Sequence, residues 1–501
     1  EIYIDKTELL KFLNKKLGTN GKCIAVSHAR RFGKSHAAGM IDAYYSLGSD
    51  SSKLFENTKI ASDPDYEKYR NKYNVIHLDI SSVWDYHKED LIESIEERVC
   101  EDFQKIYGDL LNYRRDFYLL IQDIYSLTGI PFVIIIDEWD CVIRNSHDQA
   151  LVHKYLQFLH SLFKSEESKS FLALGYITGI LPIKKIKDES ALNNFQEYTM
   201  LDSYPITEYY GFTEKEVKDL CKDYSMDFET VKAWYNGYLI DGEHMYNPNS
   251  VSQALERHKI DSYWRNTSAF DTINTFITMN YAGLKDDVMK MLTGGKVRIN
   301  TNTFQNDFSI ITSKDDALTA LIHLGYLGYD ADRKKSFIPN YEVATAFELA
   351  LQTGSWKEIA ESISKCDELL DETIDGNAER VAELIELAHE TYTSILKYND
   401  ENVLSCVLTM AYFTAPAYYN VIREMPSGKG FADFVFLPRA NAGNRPAMII
   451  ELKYNQSAET ALKQIKEKRY QGALSGYQGK ILLVGINYDS EKHHTCMIEE
   501  L

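Results

Sequence analysis

Gly33-Lys34-Ser35 follows a short apolar run at residues 23–26 and precedes a helical pattern that begins at His36. A helix that starts on a glycine turn presents backbone N–H groups to an anion; a lysine beside it reaches the outer phosphate oxygens, and a hydroxyl helps hold Mg2+. The tripeptide closes the GxxxxGK[ST] pattern, although His28 stands where that pattern opens with glycine. Alone it is weak evidence. Further along, the apolar run 132–136 ends in Asp137-Glu138-Trp139-Asp140. Carboxylates at the carboxyl tip of a buried parallel strand lie where open α/β sheets bind ligands. Asp137 would there hold Mg2+, and Glu138 would polarise an attacking water. The rival reading is a strand that simply stops at polar residues; both halves in the right order favour ATP over it. A third apolar run ends in Thr178-Gly179, where a hydroxyl could sense the outermost phosphate or merely close a strand. Arg30 and Arg31 could face phosphates, reach a neighbouring subunit, or form a surface pair, and the sequence leaves that open.

A second constellation lies near the C-terminus. Asp433 opens one apolar strand, and Glu451 and Lys453 stand two apart in the next, so a period of two puts both on one face. Inward-facing charges in a small sheet are costly unless they pair or hold a metal. Two carboxylates with Mg2+, or Mn2+ in its place, and an adjacent lysine are what phosphodiester hydrolysis requires. An amphipathic strand pair facing solvent is the plain alternative. The following helical stretch carries Gln464 and Lys468 at i,i+4, where basic residues could meet backbone phosphates or only water. Glu401, at the start of an upstream apolar helix, is a further metal ligand or a favourable acid at a helix N-terminus.

The elements that must position these groups alternate between short buried strands and helices up to about residue 205, the pattern of a parallel α/β sheet of the P-loop NTPase kind. From there to residue 355 the chain reads as mostly helical, with a hairpin at 324–340 between two helices suggesting a winged-helix-like unit. An amphipathic helical connector spans 356–400. Residues 401–501 return to α/β in the order helix, strand, strand, helix, strand. The aromatic-rich middle (Tyr235, Tyr238, Tyr246, Trp264) is read as core packing.

Composition narrows the function. The net charge of −19 is uneven: residues 401–501 hold 11 basic and 10 acidic residues, whereas the first 400 hold 44 and 64. A near-neutral C-terminal segment with basic clusters can hold a polyanion, and the acidic remainder cannot do so broadly. Seven scattered cysteines without a CxxC argue against a disulfide framework or a zinc site. No apolar run approaches the ~20 residues of a membrane span, and no basic-then-apolar leader opens the sequence. A cytoplasmic protein without a membrane partner is expected.

Arg-Arg-Phe-Gly-Lys-Ser, Ile-Asp-Glu-Trp-Asp, Ile-Thr-Gly-Ile-Leu and Trp234-Tyr-Asn-Gly-Tyr, with Tyr3-Ile-Asp-Lys-Thr7 and Tyr246-Asn-Pro-Asn-Ser, resemble the bacterial AAA-ATPase-like family that carries a C-terminal PD-(D/E)xK nuclease domain. The resemblance covers nearly the whole chain. In that family arginine and proline commonly open the phosphate loop, where this chain has His28 and Ala29. It implies an ASCE-type parallel sheet followed by a restriction-endonuclease-like α/β domain. Asp433, Glu451 and Lys453 match the nuclease motif, Glu401 the acid of the preceding helix, and Gln464 and Tyr470 the Gln and Tyr of the helix after it.

The expectation is an ATP-binding and ATP-hydrolysing protein coupled to a Mg2+-dependent nuclease. ATP would meet Arg30, Arg31, Gly33, Lys34, Ser35, Asp137 and Thr178, with Ser35 and Asp137 on Mg2+ and Glu138 catalytic. Asp433, Glu451 and Lys453 would cut nucleic acid, DNA ahead of RNA, with Gln464, Lys468 and Tyr470 in support. The competing expectation is a nucleotide-dependent switch or scaffold whose last domain binds nucleic acid without cutting it; a homo-oligomer is open in either case.

Overall fold

The computed structural model describes residues 2–108, 117–146, 148–166, 168–183, 192–264, 273–276, 278–279, 281–292, 294–304, 311–353, 365–393, 407–427, 430–439, 442–468, 474, 477, 479–491 and 493–501. By density of internal contacts the chain forms two compact units. One comprises Glu1–Val217, Gly237–Ser252 and Arg298–Ser336; the other comprises Lys218–Asn236, Gln253–Val297 and Phe337–Leu501.

The first unit is built on β1 (Cys23–Ser27), β2 (Asn74–Asp79), β3 (Phe132–Asp137), β4 (Leu172–Gly179) and β5 (Gln196–Thr199) in the order β2-β3-β4-β1-β5. All four pairings are parallel. Every residue of β1, β3 and β4 is buried, which is why these strands read as unbroken apolar runs. Side chains of β3 alternate between two cores: Phe132, Ile134 and Ile136 pack in one, Val133 and Ile135 in the other with Tyr44 and Tyr45 of the helix Lys34–Tyr45. The register pairs Ser27 with Gly179, Ile177 with Ile136, and Asp137 with Asp79. That alignment gathers the carboxyl ends of four strands on one edge.

The middle of the chain is less purely helical than its sequence suggests. β6 (Phe212–Thr213), β7 (Tyr238–Ile240) and β8 (Glu243–Tyr246) form a sheet ordered β6-β8-β7. β7 and β8 are joined by Asp241-Gly242 with φ of +52° and +84°, the left-handed pair a two-residue hairpin needs. The hairpin expected at 324–340 is present as β10 (Gly328–Asp330) and β11 (Lys335–Phe337), in a small sheet with β9 (Val297–Arg298). Helices Lys314–His323 and Tyr341–Thr353 precede and follow it. The helical stretch after residue 365 is two helices, Cys366–Ile374 and Ala378–Thr393, broken at Gly376 with φ +80°.

The second unit holds a mixed sheet of β12 (Tyr419–Ser427), β13 (Gly430–Pro438), β14 (Ala447–Tyr454), β15 (Ile481–Tyr488) and β16 (His494–Glu500), ordered as in the chain. Only β14 and β15 run parallel, and the helix Ala458–Glu467 is their crossover. Edge strands β12 and β16 are additions to the expected order. The helix packs Leu462 and Ile465 onto Val435, Ile449 and Leu483. It lies so close that a Cβ on Gly485 would stand 2.4 Å from the Ala458 carbonyl oxygen and 3.1 Å from Ala461 Cβ. Gly485→Ala is expected to destabilise this unit by about 1–3 kcal/mol through overpacking; urea denaturation of the two proteins measures it.

Among the described residues, Cys23, Cys100, Cys141, Cys221, Cys366 and Cys496 are free thiols. No helix among them is long and apolar enough to cross a membrane.

Candidate functional site

In the first unit, β1 feeds a tight loop that turns into the helix Lys34–Tyr45 at Gly33, whose φ of +87° only glycine adopts without cost. Gly33 at the cap position supplies no side-chain cap, so the first amides of this helix are placed as an anion site requires. Lys34 is buried and folds back over the loop, donating from Nζ to the carbonyl oxygens of His28 and Ala29, both at 2.9 Å. Burial lowers its pKa, while Glu138, Asp140 and Asp137 favour the charged form. Ser35 is exposed on the first turn, Arg30 is exposed, and Arg31 is half-buried with a left-handed φ of +67°.

His28, in place of the pattern's glycine, is fully buried. Its Nε2 meets Ser203 Oγ at 2.9 Å, and its ring lies 5.2 Å from that of Tyr210. Burial, with the charge of Lys34, pushes its pKa down to about 3. A histidine held neutral in the fold and titrating near 6.5 when unfolded contributes fully above pH 6.5 and loses that contribution as pH falls toward 3. We expect roughly 2 kcal/mol of stability lost between pH 7 and pH 5 from this group. His28→Gln should lack that increment when denaturation midpoints are compared at the two pH values.

Asp137 and Thr178 stand on neighbouring strands, and the Thr178 hydroxyl donates to Asp137 Oδ1, which also accepts the Glu138 N–H at 3.1 Å. Glu138 then takes a left-handed φ of +54°. Asp140 is wholly buried and accepts the N–H groups of Ile180 and Leu181 at 3.0 and 2.8 Å. Arg144, on the short helix Cys141–Asn145, pairs with Asp140 at 2.9 Å and Glu138 at 2.5 Å. The sequence reading missed Arg144. Its i,i+4 spacing from Asp140 was the available signal.

In the second unit, Asp433 on β13 and Glu451 and Lys453 on β14 come together. The antiparallel register pairs Phe434 with Ile450, so Asp433 falls opposite Glu451. Asp433 Oδ2 accepts the Leu452 N–H at 2.8 Å, and Lys453 Nζ donates to Glu451 Oε1 at 2.9 Å and to the Leu452 carbonyl at 3.0 Å. Gln464 Nε2, from the crossover helix, donates to the same Glu451 oxygen. Glu451 is 2 % exposed, and its other oxygen, Oε2, is buried with no hydrogen-bond partner among the described residues. Its pKa is raised, first by burial and then by the charge of Asp433, against which Lys453 acts.

Such an orphaned carboxylate oxygen beside a second carboxylate fits a hard divalent cation. Among the described residues no group of three or more His, Cys, Asp or Glu side chains gathers at one point, so two carboxylates are what this site offers. Glu401 and Tyr470 lie outside the described residues. The helix ends at Glu467, with Lys468 half-buried at its cap. Lys463 pairs with Glu467 and Lys466 with Glu499, so part of the basic face is already neutralised.

Residues 1–187 match the family described as Predicted AAA-ATPase, and residues 399–498 match the PD-(D/E)XK nuclease superfamily. An uncharacterized protein in the vnfD 5' region of Azotobacter chroococcum mcd 1 is 24% identical over 274 residues, which is 53% of this chain. The match spans 50% of that relative's own length. Solved structures that align include AMPPCP-bound DnaA from Aquifex aeolicus, at 11% identity over 83% of this chain and 96% of that one, with a TM-score of 0.29. The Aeropyrum pernix ORC2 protein aligns at 9% identity over 70% of this chain and 94% of that one, with a TM-score of 0.27.

Proposed function

From a chain that joins a predicted AAA-ATPase domain to a PD-(D/E)XK nuclease superfamily domain, we propose an ATP-binding and ATP-hydrolysing protein coupled to a Mg2+-dependent nuclease. The observation that carries the second activity is the convergence of Asp433, Glu451 and Lys453, with one Glu451 oxygen buried and without a partner among the described residues.

In the nuclease site Asp433 and Glu451 would hold Mg2+, or Mn2+ in its place, which when bound polarises the phosphate and acidifies a water. The chain's own residues do the rest. Lys453 neutralises charge that builds on the phosphate and orients the water. Gln464 fixes the Glu451 carboxylate from the helix, and the Leu452 N–H fixes Asp433. Lys468 and Tyr470 are the supporting contacts to the nucleic-acid strand, DNA ahead of RNA.

In the ATPase site the uncapped amides after Gly33 and the Lys34 ammonium bind the phosphates, with Arg30 and Arg31 at the rim. Ser35 and Asp137 would hold the accompanying Mg2+, Thr178 orients Asp137, and Glu138 orients the attacking water. Lys34 must leave the His28 and Ala29 carbonyls to reach a nucleotide, so binding and loop rearrangement are coupled in this reading.

The deciding experiment incubates the purified protein with DNA and with RNA, with and without ATP, in Mg2+ and in EDTA. Metal-dependent cleavage lost with Asp433 supports the nuclease. Binding without cleavage, unchanged by substitution at Asp433 and Lys453, supports the nucleotide-dependent scaffold.

A further inference from the structure

Arg144 lies six residues beyond Glu138 and belongs to neither the phosphate loop nor the strand tip, yet it joins two of the carboxylates that follow β3. Its side chain is 9% exposed. Its Nε is committed to Asp140 Oδ2 at 2.9 Å, and Nη2 reaches Glu138 Oε2 at 2.5 Å. Asp140 is itself fixed, because the same Oδ2 takes the N–H groups of Ile180 and Leu181 directly after β4. Gly179 allows this approach: a Cβ there would stand 2.8 Å from Asp140 Oδ1 and 2.6 Å from Trp139 Nε1. Contacts therefore run without a break from the tip of β4 through Asp140 and Arg144 to one oxygen of Glu138.

The Glu138 backbone is set by its N–H on Asp137 and by its left-handed φ, but its side chain has three torsions that those contacts leave open. Among the described residues, the Arg144 guanidinium is what restrains it. Deepening the ATPase reading above, and resting on it, we propose that Arg144 is a positioning residue that holds Glu138 Oε2 and so leaves Oε1 as the oxygen available to a water at the nucleotide's outermost phosphate. A planar fork suits this role. One branch is anchored on a buried carboxylate while another presents a donor to the second, and a lysine ammonium cannot span both.

The test is Arg144→Lys, which keeps a cation for Asp140 and loses the reach to Glu138. With the full chain, the melting temperature and equilibrium ATP affinity (within about twofold) should stay near wild type while kcat for ATP hydrolysis falls about tenfold, because a misoriented group costs turnover more than binding. Arg144→Lys added to Glu138→Gln should slow hydrolysis no further than Glu138→Gln alone, since the two act as a unit. Wild-type kcat in a folded Arg144→Lys protein overturns the proposal, as does additivity in the double variant, or kcat and ATP affinity falling together. Those results leave the ATPase reading standing. Absence of any Glu138-dependent hydrolysis in the wild type sinks both.

Discussion

Asp433→Asn abolishes metal-dependent cleavage of nucleic acid, by about a thousandfold or more on the proposed reading, while leaving the second unit at least as stable as before. The two halves of that result come from one geometry. An asparagine still accepts the Leu452 N–H that Asp433 takes at 2.8 Å, so β13 and β14 keep their local tie. What is lost is the charge, and that charge now disfavours the ionised form of its buried neighbour Glu451. Removing it relieves repulsion and takes away one of the carboxylates proposed to hold the cation. Lys453→Ala is expected to be equally inactive but destabilised, by about 3–5 kcal/mol at most, because Glu451 would lose its paired cation in a buried position. Cleavage assays and denaturation curves on the same preparations separate the cases. Asp433→Asn cutting at wild-type rate would remove the nuclease reading.

The second large effect is at Lys34. Lys34→Ala should weaken ATP binding by about a hundredfold or more, since it deletes a charge-assisted contact to phosphate from a buried lysine. The cost to the fold is modest by comparison. The His28 and Ala29 carbonyls lose their donor, at roughly 1–3 kcal/mol for groups left buried without one. Titration calorimetry checks the first figure and thermal unfolding without nucleotide checks the second. Unchanged ATP affinity in the variant would overturn the phosphate-loop assignment.

Groups whose position follows from strand periodicity were legible in the sequence. β1, β3 and β4 are buried on both faces, so each is an unbroken apolar run with its chemistry at the end: Gly33-Lys34-Ser35 after one, Asp137-Glu138 after another, Thr178 after the third. Glu451 and Lys453 were legible because strand pleating forces residues two apart onto one face. For Arg144 the i,i+4 spacing from Asp140 signalled at most a helical ion pair; that it matters depends on Asp140 being buried by the β4 tip, a long-range fact. His28 looked like a simple departure from pattern, and its burial against Ser203 and Tyr210 arises from residues far along the chain. The β7–β8 hairpin was written in Asp241-Gly242, but strands of three and four residues give almost no alternation to read. Edge strands β12 and β16 escaped for the opposite reason: β12 is interrupted by charge and Pro426, and β16 is largely polar.

The chain passes between the two compact units five times. A protein so threaded resists division by a single cut. The Phe32 ring of the phosphate loop packs edge-on against Tyr238 at 5.1 Å, and the Phe32 carbonyl takes the N–H of Gly211 at 3.0 Å. A fragment ending near residue 205 would strip that loop of its backing and leave an oily face wet. Separate expression of front and rear pieces should therefore give insoluble or loosely folded material.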